Sequence, residues 1–250
     1  MAKGTSGNIA IIGKGHMGTA LLQGLIKSGI SRSRIFVSDT VQNNARAVRN
    51  ARVIFIAVKP GVVGGVLRAL APHLGRKLVV SLAAGIAMRS MKRQLKNSEV
   101  ARIMPNIPVA YGEGVVGIYA RGVSAKHGHK LRALLKGLGL LIEVKNEHEL
   151  DALTLLSGCG PAIVATFLSI YERRARALGI SDTALALQVF KGTLAHLDSS
   201  GMSAAELSKS VATKGGVTEA ILKQLKKEGF EQSFERAVER GKKKLRTMRA

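Results

Sequence analysis

Cysteine is almost missing from this chain: Cys159 is the only one in 250 residues. A single thiol excludes an internal disulfide and any zinc site built from cysteines, so no metal site is expected and redox chemistry would need a bound cofactor. Tryptophan is absent, and aromatic residues total 4%. Acids are scarce too. Sixteen stand against 39 lysines and arginines, the formal net charge is +23, and Asp39 is the only acid before Glu99. Such a field attracts polyanions. The basic residues are scattered, however, with few aromatics and no helix-turn-helix or RNA-binding signature, so specific nucleic-acid binding is not expected. No tract is both long and uncharged, which argues against a membrane span. Met1–Gly7 is short and polar and lacks the apolar stretch and cleavage site of a secretory signal, so a cytoplasmic protein is expected.

Hydrophobic residues make up 46% of the chain, enough for a packed core, and the length allows one large core or two modest ones. Pattern favours two. The apolar run Asn8–Ile12 stops at glycines, and Met17–Ser28 then carries apolar residues at helical spacing, which reads as strand, tight turn and helix. Arg34–Ser38, Val53–Val58 and Leu78–Leu82 read as further strands, with helices at Asn44–Asn50 and Val62–Leu74 between them. This alternation implies an α/β architecture with a mostly parallel sheet. Strands at Val100–Ile103, Val115–Tyr119 and Leu140–Val144 extend it, with a helix over Ala125–Leu138.

Beyond Lys145 only helical periodicity follows, over Glu147–Leu156, Pro161–Leu178, Asp182–Ser199, Ser203–Val211 and Thr218–Lys227. Phe234–Ala250 is a basic helix expected to fray. Ser181-Asp182-Thr183, Ser203 and Thr218 stand where N-caps belong, and Gly179 and Gly229 where helices stop. The expected division is a dinucleotide-binding domain over residues 1–145 and a helical domain over 146–250.

Gly13-Lys14-Gly15-His16-Met17-Gly18 is a GxGxxG motif that directly follows a strand and opens a helix. The first glycine permits the turn, the second lets a pyrophosphate approach the backbone, the third lets helix pack on strand, and the helix N-terminus faces the anion. His16 reads as a loop residue at the turn. Ser38-Asp39-Thr40 ends the second strand, where the adenosine ribose is read. Asp39 favours NAD, whereas Ser38, Thr40, Arg46 and Arg49 suit a 2′-phosphate, so these residues leave the cofactor's phosphorylation open.

Ala57-Val58-Lys59-Pro60 and Ser81-Leu82-Ala83-Ala84-Gly85-Ile86 close the next two strands at the edge where open α/β sheets bind ligands. Met104-Pro105-Asn106-Ile107-Pro108 follows the next strand, and its Asn106 amide can donate and accept. Ser157-Gly158-Cys159-Gly160-Pro161-Ala162 opens a helix, and Cys159, with no partner histidine or acid in sequence, reads as a small packing residue. Thr213-Lys214-Gly215-Gly216-Val217-Thr218 also opens a helix, and its free N–H groups suit an anion.

In order, these segments resemble the pyrroline-5-carboxylate reductase family, with a match running from about Asn8 to Lys227. The resemblance implies an N-terminal Rossmann-type domain, a C-terminal helical domain that interleaves with a second subunit, and an active site between them in a homodimer or larger homo-oligomer. The activity it implies is NAD(P)H-dependent reduction of the C=N bond of 1-pyrroline-5-carboxylate to give L-proline, with NADPH expected and NADH the alternative. Gly13, Gly15, Met17 and Gly18 would hold the pyrophosphate, while Ser38 and Asn44 would lie on the adenosine ribose side. Ala57, Lys59 and Ala83 would border the nicotinamide, with Asn106 near the same pocket. Thr213, Gly215 and Gly216 would grip the substrate carboxylate. Thr218 would hydrogen-bond the ring nitrogen and guide its proton, as the catalytic residue.

One departure stands out. The family normally inserts a helix and a short strand where Thr40 here abuts Val41, so the sheet is expected to lose an edge strand. Fourteen residues remain between Ser38 and Val53, close to the dozen or so that a parallel crossover needs. A failed crossover would leave a basic, weakly active homologue that binds nucleic acid or a protein partner. A β-hydroxyacid dehydrogenase-like oxidoreductase is a further alternative, but it calls for a catalytic lysine on an interdomain helix, where this chain presents glycine pairs and Thr218.

Overall fold

Runs of isoleucine and valine become one seven-stranded sheet in the computed structural model, which describes residues 7–248. Its strands are β1 (Asn8–Ile12), β2 (Ile35–Ser38), β3 (Ala51–Ile56), β4 (Leu78–Ser81), β5 (Glu99–Pro105), β6 (Gly114–Tyr119) and β7 (Gly139–Glu143), in the order β2-β1-β3-β4-β5-β6-β7. β1 to β5 run parallel, β6 is antiparallel to β5, and β7 is parallel to β6. Side chains alternate between two buried layers. Ile9, Ile11, Val53 and Phe55 join Leu21 and Leu25 of α1 (His16–Lys27) and Leu131 and Leu134 of α5 (Ala125–Leu135). Ala10, Ile12, Ile54 and Ile56 join α2 (Val41–Arg49), α3 (Pro60–Leu74) and α4 (Met88–Gln94) through Val48, Leu67 and Met91. With both faces covered, the parallel strands carry near-continuous apolar runs.

The shortened crossover closes. β2 is the outer strand, and α2, nine residues long, carries the chain past β1 to β3 with Ala47 and Val48 buried beneath it. β3 begins at Ala51 rather than Val53, so twelve residues span the gap, about the minimum for such a connection. The sequence reading passed over α4. This helix is only seven residues long and is capped at Met88 N–H by the Glu147 carboxylate of α6 (Glu147–Leu153), at 2.9 Å.

Residues up to Pro161, joined by those from Gly241 onward, form one compact unit, and Ala162–Arg240 form a second. In the first, α6 passes into a π-helical turn at Thr154–Gly158, and Cys159 beside it is exposed rather than packed. The last helix, α11 (Phe230–Thr247), does not fray over its described length: Leu245 is buried, and a Cβ built on Gly85 would touch Met248 at 3.2 Å. The expected final residues 249–250 lie outside the described ones.

The second unit comprises α7 (Gly160–Ala177, from Ala162 onward), α8 (Ala184–Ser200), α9 (Ala204–Val211), α10 (Val217–Lys227) and the first part of α11. Ser203 caps α9 in a capping box with Glu206. Thr218 is not a cap: Gly216 is the N-cap of α10, and Thr218 is its second residue. Among the described residues of this unit only Ala175 and Ala186 are buried, whereas Leu178, Leu187, Leu194, Val217 and Ile221 stand exposed. Contrary to the compositional reading, the helical run Glu147–Ala177 is long and apolar enough to cross a membrane by length and composition. A soluble helix whose apolar face awaits a protein partner passes the same test.

Candidate functional site

The parallel strands end at a common edge, and the predicted dinucleotide residues collect there. Gly13 N–H donates to the Ser38 carbonyl at 2.6 Å, Ala57 N–H to the Ile12 carbonyl at 2.8 Å, and Leu82 N–H to the Ile56 carbonyl at 3.0 Å. Gly13 adopts φ +116°, and a Cβ there would lie 2.4 Å from the Ala57 carbonyl oxygen. β1 sits between β2 and β3, so the connection leaving β1 runs toward β2 while that leaving β3 runs toward β4, and Gly13 stands at this switch point, where open α/β sheets bind ligands.

Gly15 is the N-cap of α1, which has no side-chain cap and no acid in its first turn. Nothing lies within 4 Å of a Cβ built on Gly15. Unsatisfied N–H groups, a positive helix end and open space beside the backbone fit a pyrophosphate. Met17, half-buried, anchors the same turn to the core. Gly18 serves packing instead, since its Cβ would meet the Gly13 carbonyl oxygen at 2.1 Å. Gly18→Ala is therefore expected to destabilise the protein by about 1–3 kcal/mol, the usual cost of overpacking, read by thermal unfolding. Gly15→Ala, a change at an N-cap, should cost no more than about 1 kcal/mol, roughly 2–4 °C in Tm, while weakening dinucleotide binding in a titration.

Ser38 and Asn44 are buried at the start of the α2 crossover, and Asn44 Oδ1 has no hydrogen-bond partner among the described residues. An orphaned buried acceptor of this kind suits a ribose hydroxyl. Asp39 is half-exposed and lies 3.7 Å from Lys14 Nζ. Thr40 caps α2 without a side-chain bond, and no acid follows in the first turn. Arg49 is placed otherwise than expected. It closes α2, and its carbonyl accepts from Lys77 Nζ at 2.9 Å, at the far end of the helix, whereas Arg46 lies a turn nearer. Lys59 is exposed at the N-cap of α3, just ahead of Pro60.

Ala83 is held by a network that sequence did not reveal. Its N–H donates to Ser81 Oγ at 3.2 Å, and its carbonyl accepts from Arg102 Nη2 at 3.4 Å. Arg102, 1% exposed in β5, is paired with Glu147, whose carboxylate also caps α4. A buried arginine in an apolar strand was the available signal. Asn106 follows β5 at the same edge, but its amide already braces the protein: Oδ1 accepts from Val115 N–H at 2.8 Å, and Nδ2 donates to the Ser157 carbonyl in the π turn at 3.2 Å.

In the helical unit, Gly215 takes φ +73° and Gly216 N–H donates to the Thr213 carbonyl at 2.9 Å, folding the loop tightly before α10. A Cβ on Gly216 would meet Thr213 Oγ1 at 2.5 Å. The Gly215 N–H already binds a carboxylate: Glu219 Oε2 accepts from it at 2.9 Å. That bond, then Lys223, holds the Glu219 carboxyl below the usual carboxylate range. Thr218 lines an apolar groove of about 930 Å³ bounded by Val189 and Leu197 of α8, Leu207 of α9 and Leu222 of α10, and His196 of α8 lines it too.

Residues 8–85 match the family model described as NADP oxidoreductase coenzyme F420-dependent, and residues 147–248 match pyrroline-5-carboxylate reductase dimerisation. The chain is 35% identical to a pyrroline-5-carboxylate reductase of Pseudomonas aeruginosa, over 92% of each chain. It is 32% identical to pyrroline-5-carboxylate reductase 3 of Rattus norvegicus, also over 92% of each. The solved structure of Plasmodium falciparum pyrroline carboxylate reductase with NADP bound superposes with a TM-score of 0.90 at 26% identity, covering 98% of this chain and 99% of the other. Both halves of the chain are thus matched, and the chain belongs to the pyrroline-5-carboxylate reductase family.

Proposed function

We propose that this protein reduces 1-pyrroline-5-carboxylate to L-proline with NADPH, as a homodimer or larger homo-oligomer in the cytoplasm, where a lone thiol stays reduced. The observation that carries the reading is the loop before α10, which holds a carboxylate on Gly215 N–H beside Thr213, with Thr218 one turn along. Family membership supports the same reaction.

Bound at the glycine turn, the reduced nicotinamide supplies a hydride for the imine carbon. The chain's own residues position and protonate. Gly13, Gly15 and Met17 seat the pyrophosphate while Gly18 packs the helix onto their turn, Ser38 and Asn44 take the ribose side, and Ala57, Lys59 and Ala83 border the reacting ring, with Asn106 bracing the same edge. Thr213 and the Gly215 and Gly216 amides hold the substrate carboxylate so that the ring does not rotate. The Thr218 hydroxyl hydrogen-bonds the ring nitrogen and guides its proton. The first turn of α2 carries no acid, and Asp39 ahead of it lies 3.7 Å from Lys14 Nζ, so a 2′-phosphate beside the Ser38 and Thr40 hydroxyls is accommodated, which supports NADPH over NADH.

A helical unit whose only buried described residues are two alanines has its apolar surface available for a second copy. Sedimentation is expected to give at least twice 26.5 kDa. The activity test is oxidation of NADPH and NADH at 340 nm with pyrroline-5-carboxylate. Turnover favouring NADPH is expected, and no turnover by folded protein would reject the reading.

The substrate carboxylate must displace Glu219 from Gly215. Glu219→Gln is accordingly expected to lower the KM for pyrroline-5-carboxylate a few-fold at similar kcat. A raised KM would mean that Glu219 shapes the loop rather than competing for it.

A further inference from the structure

Part of the surplus of cations gathers at the amino-terminal edge of the sheet, opposite the glycine turn. Arg34 leads into β2, Arg52 is the second residue of β3, Lys77 precedes β4, and α5 opens with Lys126, His127, His129 and Lys130. Arg34 Nη2 donates to the Gly7 carbonyl at 2.7 Å, just ahead of β1. A pocket of about 700 Å³ is lined here by Gly7, Arg52, Lys126, His129 and Lys130, with His127 and Ala133 completing it.

Among the described residues no carboxylate lines this pocket. Glu99 accepts from Ser124 N–H at 2.7 Å and lies 3.1 Å from Nδ1 of the lining residue His127, and Glu143 pairs with Arg132 at 2.8 Å. Burial, then the charges of Arg52, Arg34 and Lys126, holds the Lys130 ammonium below the usual lysine range. Burial and Arg52 do the same to Lys77, which is occupied with the Val48 and Arg49 carbonyls at 2.6 and 2.9 Å. Folding thus draws like charges together at an unfavourable electrostatic cost that a multivalent anion would offset.

We propose that this amino-edge pocket is a second anion site, distinct from the dinucleotide crevice, for a ligand bearing several phosphate groups in a row. Arg52 supplies a planar fork, while Lys126 and Lys130 supply point charges on either side of the phosphate chain. The volume suits a small ligand. Among the described residues no phenylalanine, tyrosine or tryptophan lines the pocket, and its cations make the phosphates themselves the recognised groups.

The probe is inorganic tripolyphosphate, titrated calorimetrically into the full-length protein near physiological salt, with and without excess NADPH. Saturable binding of equal affinity in both cases is expected. In Arg52→Gln/Lys130→Gln that binding should weaken at least about tenfold, since two charge-assisted contacts are lost, and Lys126→Gln, at an exposed position of α5, should weaken it less. Native-like thermal unfolding of the variants would establish that they fold, and NADPH affinity should be unchanged. Displacement of the probe by NADPH would place it in the dinucleotide crevice and overturn the proposal, as would absence of binding or undiminished binding by both variants. A duplex DNA that binds more tightly than tripolyphosphate and is lost in the same variants would replace the small-ligand site with a nucleic-acid surface.

Discussion

Glu147→Ala is expected to destabilise the protein more than any surface substitution, because it strands a guanidinium inside the sheet. Arg102 is among the largest fully buried side chains, and it lies between Glu147 and the Ala83 carbonyl with its Nε unpartnered among the described residues. Breaking a buried pair from one side typically costs about 3–5 kcal/mol. Glu147 is a quarter exposed, so water can reach the vacated space, and the low end, about 3 kcal/mol, applies. At this chain length that is roughly 6–12 °C in Tm, measurable by calorimetry. Arg102→Met removes the buried charge itself and leaves Glu147 on Met88 N–H, so it should cost less. Equal losses for the two variants would show that side-chain volume, not the unpaired charge, sets the cost.

That pair illustrates which parts of the protein were legible in its sequence. β1 and α1 follow from a five-residue apolar run, glycines at fixed offsets and helical spacing, all of which are local. The crossover through α2 was legible as a chain-length problem, and nine helical residues solve it. Glu147 and Arg102 are 45 positions apart and Glu147 and Met88 are 59 apart, so neither the pair nor the cap of α4 has any local trace. The two bonds of Asn106 are similar: the motif marks the asparagine as important, but only the fold shows that its amide holds β6 and the π turn. In the second unit, helical periodicity signals an apolar face without saying what covers it, and so five well-patterned helices bury only two alanines among the described residues. Thr218 looked like a cap because a hydroxyl two residues after a glycine pair is a common helix start. Gly216 takes that position, which leaves the Thr218 side chain on the groove wall.

With its hydroxyl free of a capping role, Thr218→Ala separates chemistry from structure. Alanine is favourable near a helix start and no side-chain cap is lost, so Tm should be nearly unchanged. In the proposed reaction the hydroxyl contacts the ring nitrogen, and the imine carbon is most electrophilic when that nitrogen is protonated. Losing a group that guides a proton in the transition state costs about a hundredfold or more in rate. We expect kcat to fall by about that factor, with KM changing less, because the carboxylate grip at Thr213, Gly215 and Gly216 survives. NADPH affinity should not change, since that site lies at the glycine turn. Thr218→Ser keeps the hydroxyl and should recover most of the activity. A fall of only a few-fold in Thr218→Ala would move the proton-guiding role elsewhere, and His196, which also lines the groove, is the group to substitute next, because an imidazole can serve as a general acid and base.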